Sequence, residues 1–456
     1  MNYELLFEEL RHRRIRIAVT GANGGFGRTF LAQCHQVPQV ELSVLCDQDV
    51  EGLRATLLEA GFAESAFLVC ASEADVRRAA GARRIALVAD CALLPGAPHD
   101  IVVEATGQPE ASVAIALAAI ERGAHVGMVT KETDSVVGPW LDGLARERGV
   151  VYTTVAGDQP ANLIGLVTWA RVLGFEVVAA GKSSEYDFVF HPRSNEVRQA
   201  GIARRVAVIA GLWQLGADVP AALERRSEAL CDFPQSATPD YCEMNVVANA
   251  TGLVPACDTL SFPACRTPEL ADVFVPQEDG GILSRTGVVD VFNALRRDDE
   301  ASFAGGVFVI VRCTNAGVWR LLEEKGHMVG RSGKYACIYQ PFHLMGLESL
   351  ASVYSAVLHK RPSGGAAPAS HAVMVARTLR DFRPGETLRM AGHGHDIHDV
   401  SPRLLPATRA RGIAPYYLAA GKRMKTGVPR GTDIPIDALE LDGSALHAAW
   451  RQMAGD

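Results

Sequence analysis

At 456 residues the chain exceeds what one hydrophobic core supports, and roughly two to four domains are expected. Apolar residues make up 48% and charged residues 21%, an ordinary balance for a globular protein with a large interior. The net charge of −7 argues against a general nucleic-acid or membrane-surface binder, because phosphate-rich partners attract basic faces, and no apolar run reaches the ~18 residues that span a bilayer.

In chain order, residues 1–14 mix Glu and Arg with a few apolar residues, lack a signal-peptide core and read as a short amphipathic helix. Residues 15–160 alternate short apolar strands with helical patterns, the signature of a parallel, helix-covered sheet. The predicted strands are 15–20, 40–46, 84–88, 101–103, 124–129 and 150–153, with helices at 26–36, 50–60 and 110–122. From about Gly157 the rhythm changes. A helix at 160–173 precedes strand-like runs at 175–180, 242–247 and 307–312, separated by irregular, proline-bearing segments. Residues 343–360 are predicted to form a helix that returns towards the first domain, and 361–369 read as a linker. The remaining tail shows short β-type runs punctuated by Gly and Pro. The expected fold class is therefore α/β. It comprises a Rossmann doubly wound parallel sheet (1–155), a mixed α+β catalytic and oligomerisation domain (156–362) and a small β-rich domain (370–456). Ten cysteines are scattered singly with no CxxC pair, which fits reduced core thiols in a cytoplasmic protein.

The run from Ile15 to Gly27 is a strand entering a glycine-rich turn that opens a helix, the arrangement that cradles a dinucleotide pyrophosphate. Gly21 permits the tight turn, Gly24 and Gly25 let backbone approach the phosphates, and Gly27 allows close helix–strand packing; Asn23 and Phe26 complete the expected contact set. The second strand ends at Asp47, where a carboxylate can accept hydrogen bonds from the adenosine ribose or simply cap a helix. Asp47 tilts the cofactor towards NAD, because a carboxylate repels a 2′-phosphate, while Arg28 nearby keeps NADP open. Ala105, Thr106 and Gly107 end a buried strand where the second half of such a sheet meets the nicotinamide ribose.

Lys131 follows the next strand at the carboxyl edge, where ligands of open α/β sheets bind, and can stabilise an alkoxide formed or consumed by hydride transfer. Asp158, starting an apolar helix, reads as a cap, a metal ligand or a general base. Lys182, Ser183 and Ser184 suit an anionic substrate group, and Glu185 and Asp187 suit proton transfer or a divalent cation; the alternative is an exposed polar loop. Glu243, Asn245 and Asn249 place polar groups among apolar neighbours and must either line a site or brace the core. The histidine run from His393 to His398 reads as a glycine-rich solvated loop more readily than as a metal site, and His343 as a helix-start or core histidine.

The stretches Val102–Gly107, Lys131–Asp134 and Gly157–Pro160, continuing through 248–254, 281–290 and 339–344, resemble proteins with a homoserine-dehydrogenase-like core and a C-terminal SAF domain. The segments 375–386 and 428–436 resemble that SAF module. The best-described branch is the 1-deoxy-D-xylulose 5-phosphate reductoisomerase-like (DRL) enzymes. The resemblance implies an enzyme dependent on NADP or NAD, with Mg²⁺ or Mn²⁺ as an additional partner, that assembles as a homodimer or homotetramer. It implies conversion of a phosphorylated ketose to 2-C-methyl-D-erythritol 4-phosphate, a step of isoprenoid biosynthesis. Lys131 matches the lysine beside the nicotinamide; Lys182, Ser183, Ser184 and Asn245 would hold substrate, and Asp158, Glu185 and Glu243 would serve acid–base or metal roles. The chain departs from the pattern in its GxxGxxG turn, in lacking Asn-Gly-Thr after Asp158, and in Asp47, which sits against an NADPH preference. A simple dehydrogenase of a hydroxy acid or polyol, and a nucleotide-binding redox sensor or scaffold, are the competing readings.

Overall fold

The computed structural model describes residues 1–392 and 394–455. Short apolar runs buried on both faces pair inside a helix-covered parallel sheet. Here β1 (Ile15–Thr20), β2 (Val40–Cys46), β3 (Phe67–Val69), β4 (Ile85–Val88), β5 (Ile101–Glu104), β6 (His125–Met128) and β7 (Tyr152–Thr154) form one. The order is β3-β4-β2-β1-β5-β6-β7, and every pairing is parallel. Chain order turns about between β1 and β5, so their carboxyl ends form the crevice where ligands of such sheets bind. The sequence missed β3 and the helix Glu73–Gly81 that follows it: three residues are too few to show a period. The N-terminal helix is shorter than expected, an α turn at Tyr3–Leu6 and a 3₁₀ turn at Glu8–Arg11.

Beyond β7, Asp158 caps the helix Gln159–Val172, with Pro160 in its first turn where a missing N–H is harmless. A ten-stranded mixed sheet follows, with Val177–Ser183 at its centre, parallel to Val288–Arg297 and antiparallel to Val307–Arg312. The strand expected at 175–180 thus runs on through Lys182 and Ser183, and 307–312 matches the sequence reading.

The stretch 242–247, read as a strand, lies inside the helix Thr238–Thr251. All but one of its fourteen residues are buried. A helix buried all round has no polar face, so the 3.6-residue period vanishes and a run such as Cys-Glu-Met-Asn-Val-Val mimics a strand. Pro239 in the first turn and Gly252 in the left-handed cap were the legible signals.

The segment 343–360 is also only partly helical. A 3₁₀ turn, Met345–Leu347, leads to the helix Leu350–His359, which does return and shares a core with Ile15, Phe30 and Leu31. The stretch 361–369 is tied down: the Ser363 and Gly364 amides donate to Thr153 Oγ1, each at 2.9 Å. The tail contains two antiparallel ladders, Ala372–Thr378 with Val400–Pro406 and Arg423–Met424 with Leu439–Glu440, then the helix Ala445–Ala454. It docks through Asn245, whose Nδ2 donates to the Ala372 carbonyl at 3.0 Å, and Asn249, whose Oδ1 accepts from the His371 and Ala372 amides. All ten cysteines are free. Among the described residues no helix is long and apolar enough to cross a membrane.

The turn after β1 is tightly packed. Gly21 has φ +63°, and a Cβ there would lie 2.2 Å from the Ala105 carbonyl oxygen. Gly21→Ala should therefore destabilise the protein by on the order of 1–3 kcal/mol, read as a lower urea midpoint; an unchanged midpoint would show that the turn relaxes freely.

Candidate active site

The carboxyl edge of the parallel sheet opens onto two adjoining cavities that share Thr106. One, of about 690 Å³, lies over β1, β2 and β4 and is lined by Gly21, Asp47, Asp90 and Thr106 among others. The other, of about 540 Å³, is lined from the dinucleotide side by Gly25, Phe26 and Ala105–Gly107. The helix Gly25–His35 begins between them with Gly24 as its cap and no side chain closing its first N–H groups. Those donors suit a pyrophosphate. Gly27 is required by packing, since a Cβ there would sit 2.5 Å from the Ala22 oxygen; at Gly24 it would lie 3.3 Å from the Gly21 oxygen, and at Gly25 it would meet only the end of Met345, at 3.9 Å.

Two cofactor-side residues behave differently from expectation. Asn23 does not face either cavity: its Oδ1 accepts from Thr56 Oγ1 at 2.7 Å and its Nδ2 donates to Asp49, so it braces the turn. Asp47 lines the larger cavity but also accepts from the Asn23 amide at 2.8 Å and the Asp49 amide at 3.0 Å. The helix cap at this point is Asp49. Carboxylate oxygens accept more than one hydrogen bond each, so Asp47 keeps lone pairs for a ribose.

At the other end, Glu104 is buried and fixes the Ala105–Gly107 turn. It accepts from the Thr106 amide at 2.9 Å, Thr106 Oγ1 at 2.5 Å and Ser112 Oγ at 2.7 Å. Gly107 N donates to Thr130 Oγ1 at 3.0 Å, which locks this turn to the start of the helix Lys131–Glu147. Lys131 is that helix's first residue, not the last of a strand, so its side chain leaves the sheet edge towards the cavity.

Lys131 Nζ lies 3.7 Å from Asp158 Oδ1 and bonds Glu243 Oε1. The other oxygen of Glu243 bonds Lys182 Nζ, which donates also to Asp240 Oδ1 at 2.6 Å. Ser184 Oγ donates to Asp240 Oδ2 at 2.7 Å. Burial alone would neutralise such groups; pairing reverses it. Burial pulls the Lys131 ammonium down, but the charges of Asp158, Glu243 and Glu132 outweigh it and hold its pKa well above the usual value. Burial pushes the Glu243 carboxyl up, and the two lysines outweigh that and hold it below the usual carboxylate range. Asp158 goes the other way: burial raises its pKa against the pull of Lys131.

This network revises several sequence expectations. Lys182 is fully buried and committed to two carboxylates, so it does not grip a substrate anion. Ser183 is buried, with Oγ donating to the Phe303 carbonyl at 2.7 Å, and Ser184 is held by Asp240. Asn245 is fully buried and docks the tail instead of holding substrate. For Lys182 and Ser183 the physical reason is the centre-strand position of Val177–Ser183, whose two faces are both covered; Asn245 lies on the buried helix Thr238–Thr251. Lys131, Asp158, Glu185 and Glu243 do line the 540 Å³ cavity.

Reading the residues in isolation missed three groups. Asp240 stands three residues before Glu243, on one face of the unrecognised helix, a spacing that would have paired them against Lys182. Glu132 and His395 were not connected either. His395, from the histidine run, lines the cavity and has Nδ1 3.0 Å from Glu132 Oε1. His393 of that run lies outside the described residues. His343 also lines the cavity. Among the described residues no group of three or more His, Cys, Asp or Glu is arranged to hold a metal ion. Glu243 suits one poorly, since its two oxygens are spent on two ammoniums.

Residues 157–349 match the family described as "Oxidoreductase DRL, catalytic domain", a stretch that carries Asp158, Asp240 and Glu243. The chain is an oxidoreductase. No curated protein matches it. Among solved structures it is similar to a dipicolinate-bound dihydrodipicolinate reductase from Paenisporosarcina sp. TG-14, at 10% identity over 76% of this chain and 94% of that chain, TM-score 0.34. It is similar to the UDP-N-acetylglucosamine 3-dehydrogenase GnnA from Acidithiobacillus ferrooxidans, at 14% identity over 76% and 90%, TM-score 0.37. A DOX-P reductoisomerase in complex with NADPH, fosmidomycin and magnesium aligns at 19% identity over 38% of this chain and 45% of that chain, TM-score 0.27.

Two outcomes are expected of this oxidoreductase. Lys182→Met leaves Asp240 and Glu243 facing each other without a shared cation, and should destabilise the protein by roughly 3–5 kcal/mol in urea denaturation; a change confined to substrate KM would return Lys182 to the substrate. The pKa of His395 is raised, first by its hydrogen bond to Glu132. Its contact with Glu132 should thus be complete below the ordinary histidine pKa and fade as pH rises through the higher folded-state value. Imidazole NMR titration checks this, and Glu132→Gln should bring the midpoint down.

Proposed function

We infer that the chain is NAD(P)-dependent and interconverts a carbinol and a carbonyl in a small, sugar-derived substrate. The observation that carries this is the meeting, in one cavity, of Lys131, Asp158 and the Thr106–Gly107 turn next to an uncapped glycine-rich helix start. A nicotinamide held there would supply or take the hydride. Lys131, cationic by virtue of its neighbours, donates a hydrogen bond to the substrate oxygen and stabilises developing alkoxide. Asp158, raised by burial yet within reach of the same oxygen through Lys131, accepts the hydroxyl proton in oxidation and returns it in reduction. The glycine-rich backbone and Asp47 would hold the dinucleotide, with Asp47 favouring NAD and exposed Arg28 leaving room for NADP.

The specific reaction supported by the match over 157–349 is a DRL-type reductoisomerisation, 1-deoxy-D-xylulose 5-phosphate to 2-C-methyl-D-erythritol 4-phosphate. A second reading, plain dehydrogenation of a polyol or hydroxy acid, is favoured by the engagement of Lys182, Ser183 and Ser184, which leaves no free lysine–serine grip for a phosphate. The division at 1–155, 156–362 and 370–456, the SAF-like character of the tail, homo-oligomeric assembly and a cytoplasmic setting belong to the same proposal. Following NADH and NADPH oxidation with 1-deoxy-D-xylulose 5-phosphate, with and without Mg²⁺ or Mn²⁺, tests it. A branched product supports the first reading and an intact skeleton from a polyol the second. Cofactor binding without any hydride transfer would point to a sensor or scaffold. Lys131→Ala should lower kcat by about 10²–10³-fold while cofactor affinity, measured by fluorescence, holds within a few-fold. Normal turnover would remove Lys131 from the mechanism.

A further inference from the structure

Two of the free cysteines meet at the carboxyl edge of the parallel sheet. Cys46 ends β2, Cys91 opens the 3₁₀ turn Cys91–Gly96 that follows β4, and their Sγ atoms lie 3.1 Å apart. Both residues line the cavity of about 690 Å³, and so do their chain neighbours Asp47 and Asp90. Cys46 is buried, whereas Cys91 is only half-buried. Each sulfur stands on backbone fixed by other bonds. Cys46 pairs with Val88 in the β2–β4 ladder, the Asp47 amide donates to the Val88 carbonyl at 3.0 Å, and the Ala92 amide donates to Asp90 Oδ1 at 2.9 Å. With Cys46 as donor, the hydrogen bond between them draws the Cys91 thiol below its ordinary value, against burial and the carboxylates of Glu104, Asp90 and Asp47. The more exposed sulfur is thus the one favoured as thiolate, with a second sulfur in contact behind it, which is the arrangement of a peroxide-reactive thiol and its resolving partner.

We propose that Cys46 and Cys91 are a modification site, a reversible dithiol–disulfide pair oxidised by hydroperoxides, whose disulfide form weakens dinucleotide binding in the cavity they line. The effect on binding rests on the reading of that cavity as the dinucleotide site. The Cys91 thiolate attacks one oxygen of hydrogen peroxide, the O–O bond breaks, and a sulfenic acid forms while the departing hydroxide takes up a proton to become water. The Cys46 sulfur then displaces the sulfenic hydroxyl, which leaves as a second water with the Cys46 proton. Two thiols give up two electrons and two protons, and one peroxide becomes two waters; an external dithiol returns the electrons. Disulfide sulfurs stand about 2 Å apart, so bond formation closes the present gap by about 1 Å. That movement draws together the ends of β2 and β4 where Asp47 and Asp90 stand, and shifts the carboxylate that would meet the ribose. By linkage, bound dinucleotide opposes the disulfide by the same factor.

Titration of the full chain with hydrogen peroxide tests it, with disulfides located by peptide mass mapping and NADH affinity read by fluorescence. Peroxide should link Cys46 to Cys91 and raise the Kd for NADH by about tenfold, and dithiothreitol should reverse both changes. Cys91→Ser should bind NADH as the reduced protein does and keep that affinity after peroxide. Cys46→Ser, which leaves Cys91 without its partner, should stop at a sulfenic acid that a diketone trap captures on Cys91. Three results overturn the proposal: a map in which Cys46 and Cys91 stay unlinked, a linked protein with unchanged NADH affinity, or a loss of affinity that persists in Cys91→Ser. The last would assign the effect to the exposed Cys231 or Cys257. Reduced protein that binds neither NADH nor NADPH fails the dinucleotide reading, and the effect on binding with it, while the peptide map still decides the disulfide.

Discussion

Glu243 is a carboxylate buried between two lysine ammoniums that arrive from different sheets. Lys131 comes from the edge of the dinucleotide sheet, Lys182 from the centre of the mixed sheet, and Glu243 stands on the helix packed between them. None of the three could be buried as an ion alone, and a pair would leave one oxygen or one ammonium unmatched. The extension through Asp240 and Ser184 completes the satisfaction of Lys182. The relative placement of the two sheets, and with it the position of Lys131 over the cavity, thus depends on one shared carboxylate. Such networks add specificity of arrangement more dependably than net stability.

The same arrangement separates two lysines into different tasks. Lys182 is sealed on all sides and structural in its chemistry, whereas Lys131 keeps about a fifth of its side chain exposed, on the cavity side. Its ammonium is held charged by the neighbours that anchor it. Asp158, the cap of its own helix, is a carboxyl that burial pushes towards the neutral form, as it does Asp240. Lys131 and Asp158, 3.7 Å apart, are both shifted towards their protonated forms, which sets two proton-holding groups side by side at the cavity.

Position of that Asp158 turn is set by a strap from far along the chain. Gly157 has φ +96° and abuts the Met345 carbonyl, where a Cβ would lie 1.8 Å from the oxygen. Ser349 Oγ donates to the Ala156 carbonyl at 2.8 Å, and Gly346 packs against the backbone of Phe30 in the dinucleotide helix. One short segment therefore fixes both the helix Gly25–His35 and the turn that carries Asp158. The tail adds His395 to the same cavity, so the site is assembled from every part of the chain.

How much of this was legible follows from the range of the forces involved. The β1 turn, the strand ends at Asp47 and Thr106, and the placement of Lys131 at the sheet edge were readable because each depends on neighbours within a few residues: Gly21 needs its positive φ, Gly27 its missing Cβ. Strand spacing told the parallel sheet for the same reason, since burial on both faces leaves an unbroken apolar run. The helix Thr238–Thr251 was hidden because complete burial erases periodicity, and with it went Asp240. The assignment of Lys182, Ser183 and Ser184 to a substrate failed because polarity in sequence does not say whether a side chain meets solvent or another buried charge. The sequence by itself determined the dinucleotide fold and the position of Lys131 at the carboxyl edge of its sheet, which local backbone geometry enforces. Only the tertiary structure decided which charges pair, because a buried ion's partner is chosen by distance in space and by the free energy of leaving water, neither of which is written in chain order.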